Sequence, residues 1–129
     1  MADKEIVRTD AAPAPFEGAP YSQAVRYGDF LFVAGQLALP AGHDAIVGDT
    51  IEEQTEQVCD NVKAILEAAG SSFERVLNTT IYLSDFGDFA GLNEVYGRYV
   101  GDKPPARATV QVAALPMGAK VEIAVVAHV

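Results

Sequence analysis

Thr50-Ile51-Glu52-Glu53-Gln54-Thr55-Glu56-Gln57-Val58-Cys59-Asp60-Asn61-Val62-Lys63-Ala64-Ile65-Leu66-Glu67-Ala68-Ala69-Gly70, followed closely by Val76-Leu77-Asn78-Thr79-Thr80-Ile81-Tyr82-Leu83, is the stretch on which the fold turns. Thr50 and Glu53 have the spacing of a capping box, in which each satisfies a backbone donor that the first helical turn leaves free. Ile51, Val58, Val62, Ile65 and Ala69 then recur at helical spacing until Gly70 stops the run. The helix is apolar on one side and needs a surface to cover. Residues 76–83 are rich in β-branched and aromatic side chains and short enough for a strand, so they supply one.

The same reading extends outward in both directions. Upstream, Val25-Arg26-Tyr27 and Phe30-Leu31-Phe32-Val33-Ala34 flank Gly28-Asp29, the pattern of a hairpin with a tight turn. Leu39-Pro40-Ala41-Gly42-His43-Asp44 is rich in turn residues and predicts an exposed loop. Downstream, Phe89, Leu92, Tyr96 and Tyr99 share a helical face, with Asp85 or Asp88 near its start and Gly101 beyond its end. Strands at about 107–112 and 121–127 follow, joined through Leu115-Pro116-Met117-Gly118. The predicted order is β-β-α-β-α-β-β, an α+β layer with both helices on one face of the sheet. The other face stays partly apolar, which predicts an oligomer that buries it.

A chain of 129 residues suits one domain, taken here as 1–129. Ala11-Ala12-Pro13-Ala14-Pro15 makes residues 1–18 an extended lead-in, since alternating prolines disfavour helix. Half the residues are hydrophobic and 21% are charged, a globular balance. The net charge of −9 opposes binding to nucleic acid, because that affinity rests largely on Lys and Arg neutralising phosphates. Met1-Ala2-Asp3-Lys4-Glu5 lacks the apolar segment of a signal peptide, and no later run reaches membrane-spanning length. A cytoplasmic protein with no membrane partner is expected. The single Cys59 leaves no internal disulfide and reads as an inert, partly buried thiol. His43 and His128 are too isolated to suggest a metal site. No P-loop, dinucleotide fingerprint or nucleophile elbow is present.

The chemistry concentrates near the end of the chain. Pro104-Pro105-Ala106-Arg107-Ala108-Thr109-Val110 puts an arginine inside what reads as a buried strand, and a guanidinium removed from water needs an anion. One candidate is Glu122, which interrupts Val121-Glu122-Ile123-Ala124-Val125-Val126-Ala127 on the following strand. The other is a carboxylate ligand, whose two oxygens match the fork of the guanidinium. Residue types alone leave both open.

Ala19-Pro20-Tyr21-Ser22-Gln23-Ala24, Phe32-Val33-Ala34-Gly35-Gln36, Asn93-Glu94-Val95-Tyr96, Pro104-Pro105-Ala106-Arg107 and Val121-Glu122-Ile123 resemble the ordered signature of the RidA/YjgF proteins, the reactive intermediate (imine) deaminases. The resemblance runs from about Pro20 to Ala127. It implies a chorismate-mutase-like α+β domain with a mixed sheet, assembled as a homotrimer with three sites in the clefts between subunits. It also implies hydrolysis of short-lived enamine and imine acids such as 2-aminoacrylate, 2-iminopropanoate and 2-iminobutanoate to 2-oxo acids and ammonia, a form of metabolite damage control. No metal or organic cofactor is implied; the partners are small 2-imino and 2-oxo acids.

In that scheme Arg107 holds the substrate carboxylate and Glu122 orients a water or exchanges a proton with the imine nitrogen. Tyr21 is placed at the cleft wall; otherwise it reads as a core tyrosine with a wet hydroxyl. Gly35 lets backbone approach the ligand, or simply relieves strain in a strand. Asn93 is a secondary binding residue on the second helix, and Thr109 offers its backbone carbonyl to the attacking water. Two positions depart from the common pattern: Ala34 stands where many members carry serine, and Thr109 where they often carry cysteine. Three other readings stay open: a non-catalytic carboxylate binder, a member with a larger substrate, and the family's older description as ribonucleases, which the acidic balance opposes.

Overall fold

The computed structural model describes residues 3–129, and Met1 and Ala2 of the expected lead-in lie outside them. Six strands and two helices follow one another as β1 (Glu5–Val7), β2 (Ala24–Tyr27), β3 (Phe30–Gln36), α1 (Ile51–Ala68), β4 (Val76–Leu83), α2 (Phe89–Val100), β5 (Ala106–Gln111) and β6 (Val121–His128). The strands form one mixed sheet ordered β1-β2-β3-β6-β4-β5. All neighbours are antiparallel except β4 and β5, which run parallel with α2 as their crossover. This is the expected α+β architecture, with both helices on one face.

Local chemistry accounts for the helices. Thr50 accepts from the Glu53 amide while the Glu53 carboxylate accepts from the Thr50 amide, the reciprocal capping box. Ile51, Val58, Val62, Ile65 and Leu66 are buried, and the helix packs them on β3 and β6. Helix α2 ends at Gly101, whose φ of +70° favours glycine. Its Gly91 lies where a Cβ would stand 2.6 Å from Ile51 Cγ2, so the absent side chain lets the two helices meet closely.

Three sequence expectations need correction. The predicted order lacks a strand, because the lead-in is not merely extended: Glu5–Val7 pairs antiparallel with Ala24–Arg26, making the order β-β-β-α-β-α-β-β. A three-residue strand carries too little alternation to register in sequence. Strand β5 is not buried; it is the outer strand on the β4 side, with residues exposed or half-buried along its length. The internal Arg107–Glu122 pair does not form, because β4 lies between the two strands and the side chains leave on opposite faces of the sheet. Arg107 is in register with Thr79 and Glu122 with Tyr82, and positions three apart on β4 project to opposite sides.

The face away from the helices presents Phe30, Phe32 and Val110, each more than 40% exposed. Among the described residues no helix is long and apolar enough to cross a membrane.

Candidate active site

The six residues singled out in sequence fall into two groups. The first surrounds Glu122, at the foot of a cleft of about 310 Å³ lined by Tyr21, Ala34, Gly35, Leu37, Leu39 and Pro116 among others. The pairing of β3 with β6 slips between Val33 and Gln36, so Ala34 and Gly35 sit at a bulge beside Glu122. A Cβ on Gly35 would overlap the Glu122 carboxylate. Gly35 lacks a left-handed φ, so its role here is space and not relief of strain. Burial raises the Glu122 pKa above the ordinary carboxyl value. Among the described residues no cation pairs with it, since the one ion pair is Arg98–Glu94 on the surface of α2.

Tyr21 is not a core residue; it is 43% exposed at the cleft, its hydroxyl accepting from the Phe16 amide at 2.9 Å. The wall it belongs to is fixed by a residue that sequence reasoning quoted without a role. Gln23, 3% exposed, accepts from the Thr9 amide and donates to the carbonyls of Thr9, Ala12 and Pro13. A buried side-chain amide needs such partners, and here they tie the lead-in against the sheet. Asn61 does the same for the opposite wall, donating to the carbonyls of Leu37 and Leu39 from within α1. A polar side chain on the buried stripe of a predicted helix was the signal that could have exposed it.

The second group lies on the helix-covered face. Arg107 Nη1 donates to Asn93 Oδ1 at 2.8 Å, and its Cζ stands 5.3 Å from the centre of the Tyr96 ring and 5.5 Å from that of Phe89. Thr109 is on the same face of β5, its hydroxyl buried and without a hydrogen-bond partner. The structure thus brings Arg107, Asn93 and Thr109 together, and Tyr21, Gly35 and Glu122 together, but does not join the two sets within one chain. Cys59 lies outside both, fully buried and with its pKa raised by burial and then by Asp60.

The helix-covered mixed sheet thus carries a guanidinium without a carboxylate partner on one face and a half-buried carboxyl in a small cleft on the other. The chain's relatives are specific. A sequence model of the Endoribonuclease L-PSP family matches residues 9–129. A RutC family protein of Pyrococcus horikoshii is 47% identical over 125 residues, 97% of this chain and 98% of the relative. The chloroplastic Reactive Intermediate Deaminase A of Arabidopsis thaliana is 44% identical over 96% of this chain, which spans 65% of that longer protein. The crystal structure of RidA from an Antarctic Psychrobacter superposes with a TM-score of 0.90 at 41% identity, covering 97% of this chain and 99% of that one. The chain belongs to the Endoribonuclease L-PSP family, the RidA/YjgF proteins.

Proposed function

We propose that this protein is an imine deaminase that hydrolyses small 2-imino acids, 2-iminopropanoate and 2-iminobutanoate among them, to 2-oxo acids and ammonia. The observation that carries the proposal is the separation of Arg107 from Glu122. Each is half of a site, and a second copy laid against the open sheet face supplies the missing half. The exposed Phe30, Phe32 and Val110 favour such a contact, because apolar side chains grouped on one sheet face are costly to leave in water. A homotrimer closes this arrangement with three equivalent clefts.

In each cleft Arg107 takes the substrate carboxylate through two parallel N–H donors and fixes the plane of the C=N bond. Asn93 occupies one Nη1 hydrogen and leaves the others for the ligand. Glu122, with no internal cation, accepts a proton from water as it adds to the imine carbon. The proton passes to nitrogen, and the tetrahedral adduct collapses to the 2-oxo acid and ammonia. Tyr21 closes the cleft wall, and the Thr109 carbonyl helps seat the water. The naming of one relative as a Reactive Intermediate Deaminase supports this reading over the ribonuclease description. So does the net charge of −9, which repels a phosphate backbone.

The test couples a PLP-dependent threonine dehydratase to the protein and follows 2-oxobutanoate release, with semicarbazide trapping free imine. Wild type should accelerate release and Arg107→Ala, folded and assembled as wild type, should not. Equal rates with wild type and with buffer would leave a carboxylate binder as the better description.

A further inference from the structure

The surroundings of Arg107 assign a role to two residues that pattern alone places in the core. A half-buried arginine is ordinarily accompanied by a carboxylate, because an unpaired charge out of water is costly. Arg107 has none among the described residues. Its neighbours are the side chains of Phe89, Asn93 and Tyr96, which occupy positions i, i+4 and i+7 of α2 and form one stripe facing β5. Asn93 contributes a hydrogen bond; the other two present aromatic rings to the cation.

We propose that Phe89 and Tyr96 are positioning residues that hold the Arg107 guanidinium by cation–π attraction in place of an internal acid, keeping it ordered yet unneutralised for an incoming carboxylate. The electron-rich face of a ring attracts a cation without competing for the N–H donors that a carboxylate would occupy. An internal glutamate or aspartate would order the arginine equally well, but the ligand would have to displace it.

The rings are themselves fixed. Tyr96 is 5% exposed and donates its hydroxyl to Thr79 Oγ1 at 2.8 Å, and Thr79 is the register partner of Arg107 on β4. Phe89 stacks on Phe86 with ring centres 4.8 Å apart and planes at 14°. Ring, cation and strand therefore form a closed set of contacts, and only the remaining N–H donors of the guanidinium lack an internal use. The proposal rests on the reading above for the identity of the anion, and its test does not require turnover.

The experiment measures the dissociation constant of 2-oxobutanoate by calorimetry for wild type, Phe89→Leu, Phe89→Tyr, Tyr96→Leu and Tyr96→Phe, with thermal midpoint and assembly state checked for each. KM and kcat are measured alongside on the coupled imine assay. The leucine variants keep apolar bulk but lose the π face, and should weaken binding and raise KM about tenfold with kcat within about threefold, the pattern of lost ligand binding. The aromatic replacements should stay within about twofold of wild type, since they retain a ring. Phe89→Leu, at a half-buried position, carries the test if Tyr96→Leu does not fold. Folded leucine variants that bind as wild type, or aromatic variants as weak as the leucine ones, would overturn the proposal. So would a wild-type protein that binds no 2-oxo acid. Binding with the predicted pattern but no turnover would instead count against the deaminase reading alone.

Discussion

At the residue scale the account turns on one carboxyl group. Burial holds the Glu122 pKa above the ordinary range, so the neutral form persists to higher pH than for an exposed glutamate. A base must be unprotonated to act, and its proton is present below its pKa. Activity should therefore fall as pH drops through that raised pKa. The acid limb of kcat/KM should lie above the normal glutamate value of about 4.3. A rate that stays flat down to pH 4 would show that Glu122 is not the base, since even an ordinary glutamate is mostly protonated there. Arg107 and Glu122 were both legible in sequence, because a charge inside an apolar strand pattern is locally conspicuous. Their relation was not, since which strand lies between two others is decided by long-range pairing.

Among the elements, two polar side chains do work that hydrophobic patterning does not reveal. Asn61 points from the buried side of α1 to the Leu37 and Leu39 carbonyls, and Gln57 donates to its Oδ1. Asn61→Ala leaves two buried carbonyls without a donor and should cost about 1–3 kcal/mol in urea unfolding. The Leu37–Leu39 wall of the cleft should loosen with it, seen as faster amide exchange there. An unchanged denaturation midpoint would mean that water replaces the amide. Helix α1 was legible because its capping box and its periodicity are both local. Strand β1 escaped because Glu5-Ile6-Val7 offers only one alternation, and β5 was misjudged because an arginine between two alanines, followed by a threonine and a valine, reads alike at an edge and in a centre.

For the whole molecule, the fold keeps Arg107 and Glu122 apart within one copy. The helices cover one face of the sheet and hold Arg107 there; the cleft with Glu122 belongs to the other side, beside an apolar surface that no element among the described residues covers. The bare apolar face and the separation of Arg107 from Glu122 each favour assembly with a second copy. Arg107 supplied by one copy and Glu122 by its neighbour is the central claim. The most direct measurement mixes two inactive variants, Arg107→Ala and Glu122→Gln, by co-expression or by unfolding and reassembling them together, and assays imine hydrolysis. In a cyclic trimer with random mixing, a cleft regains both residues whenever an intact arginine faces an intact glutamate, which restores about a quarter of wild-type activity. If the mixture stays as inactive as either variant alone while mixed assemblies are shown to form, the two residues do not meet across copies and the account is wrong.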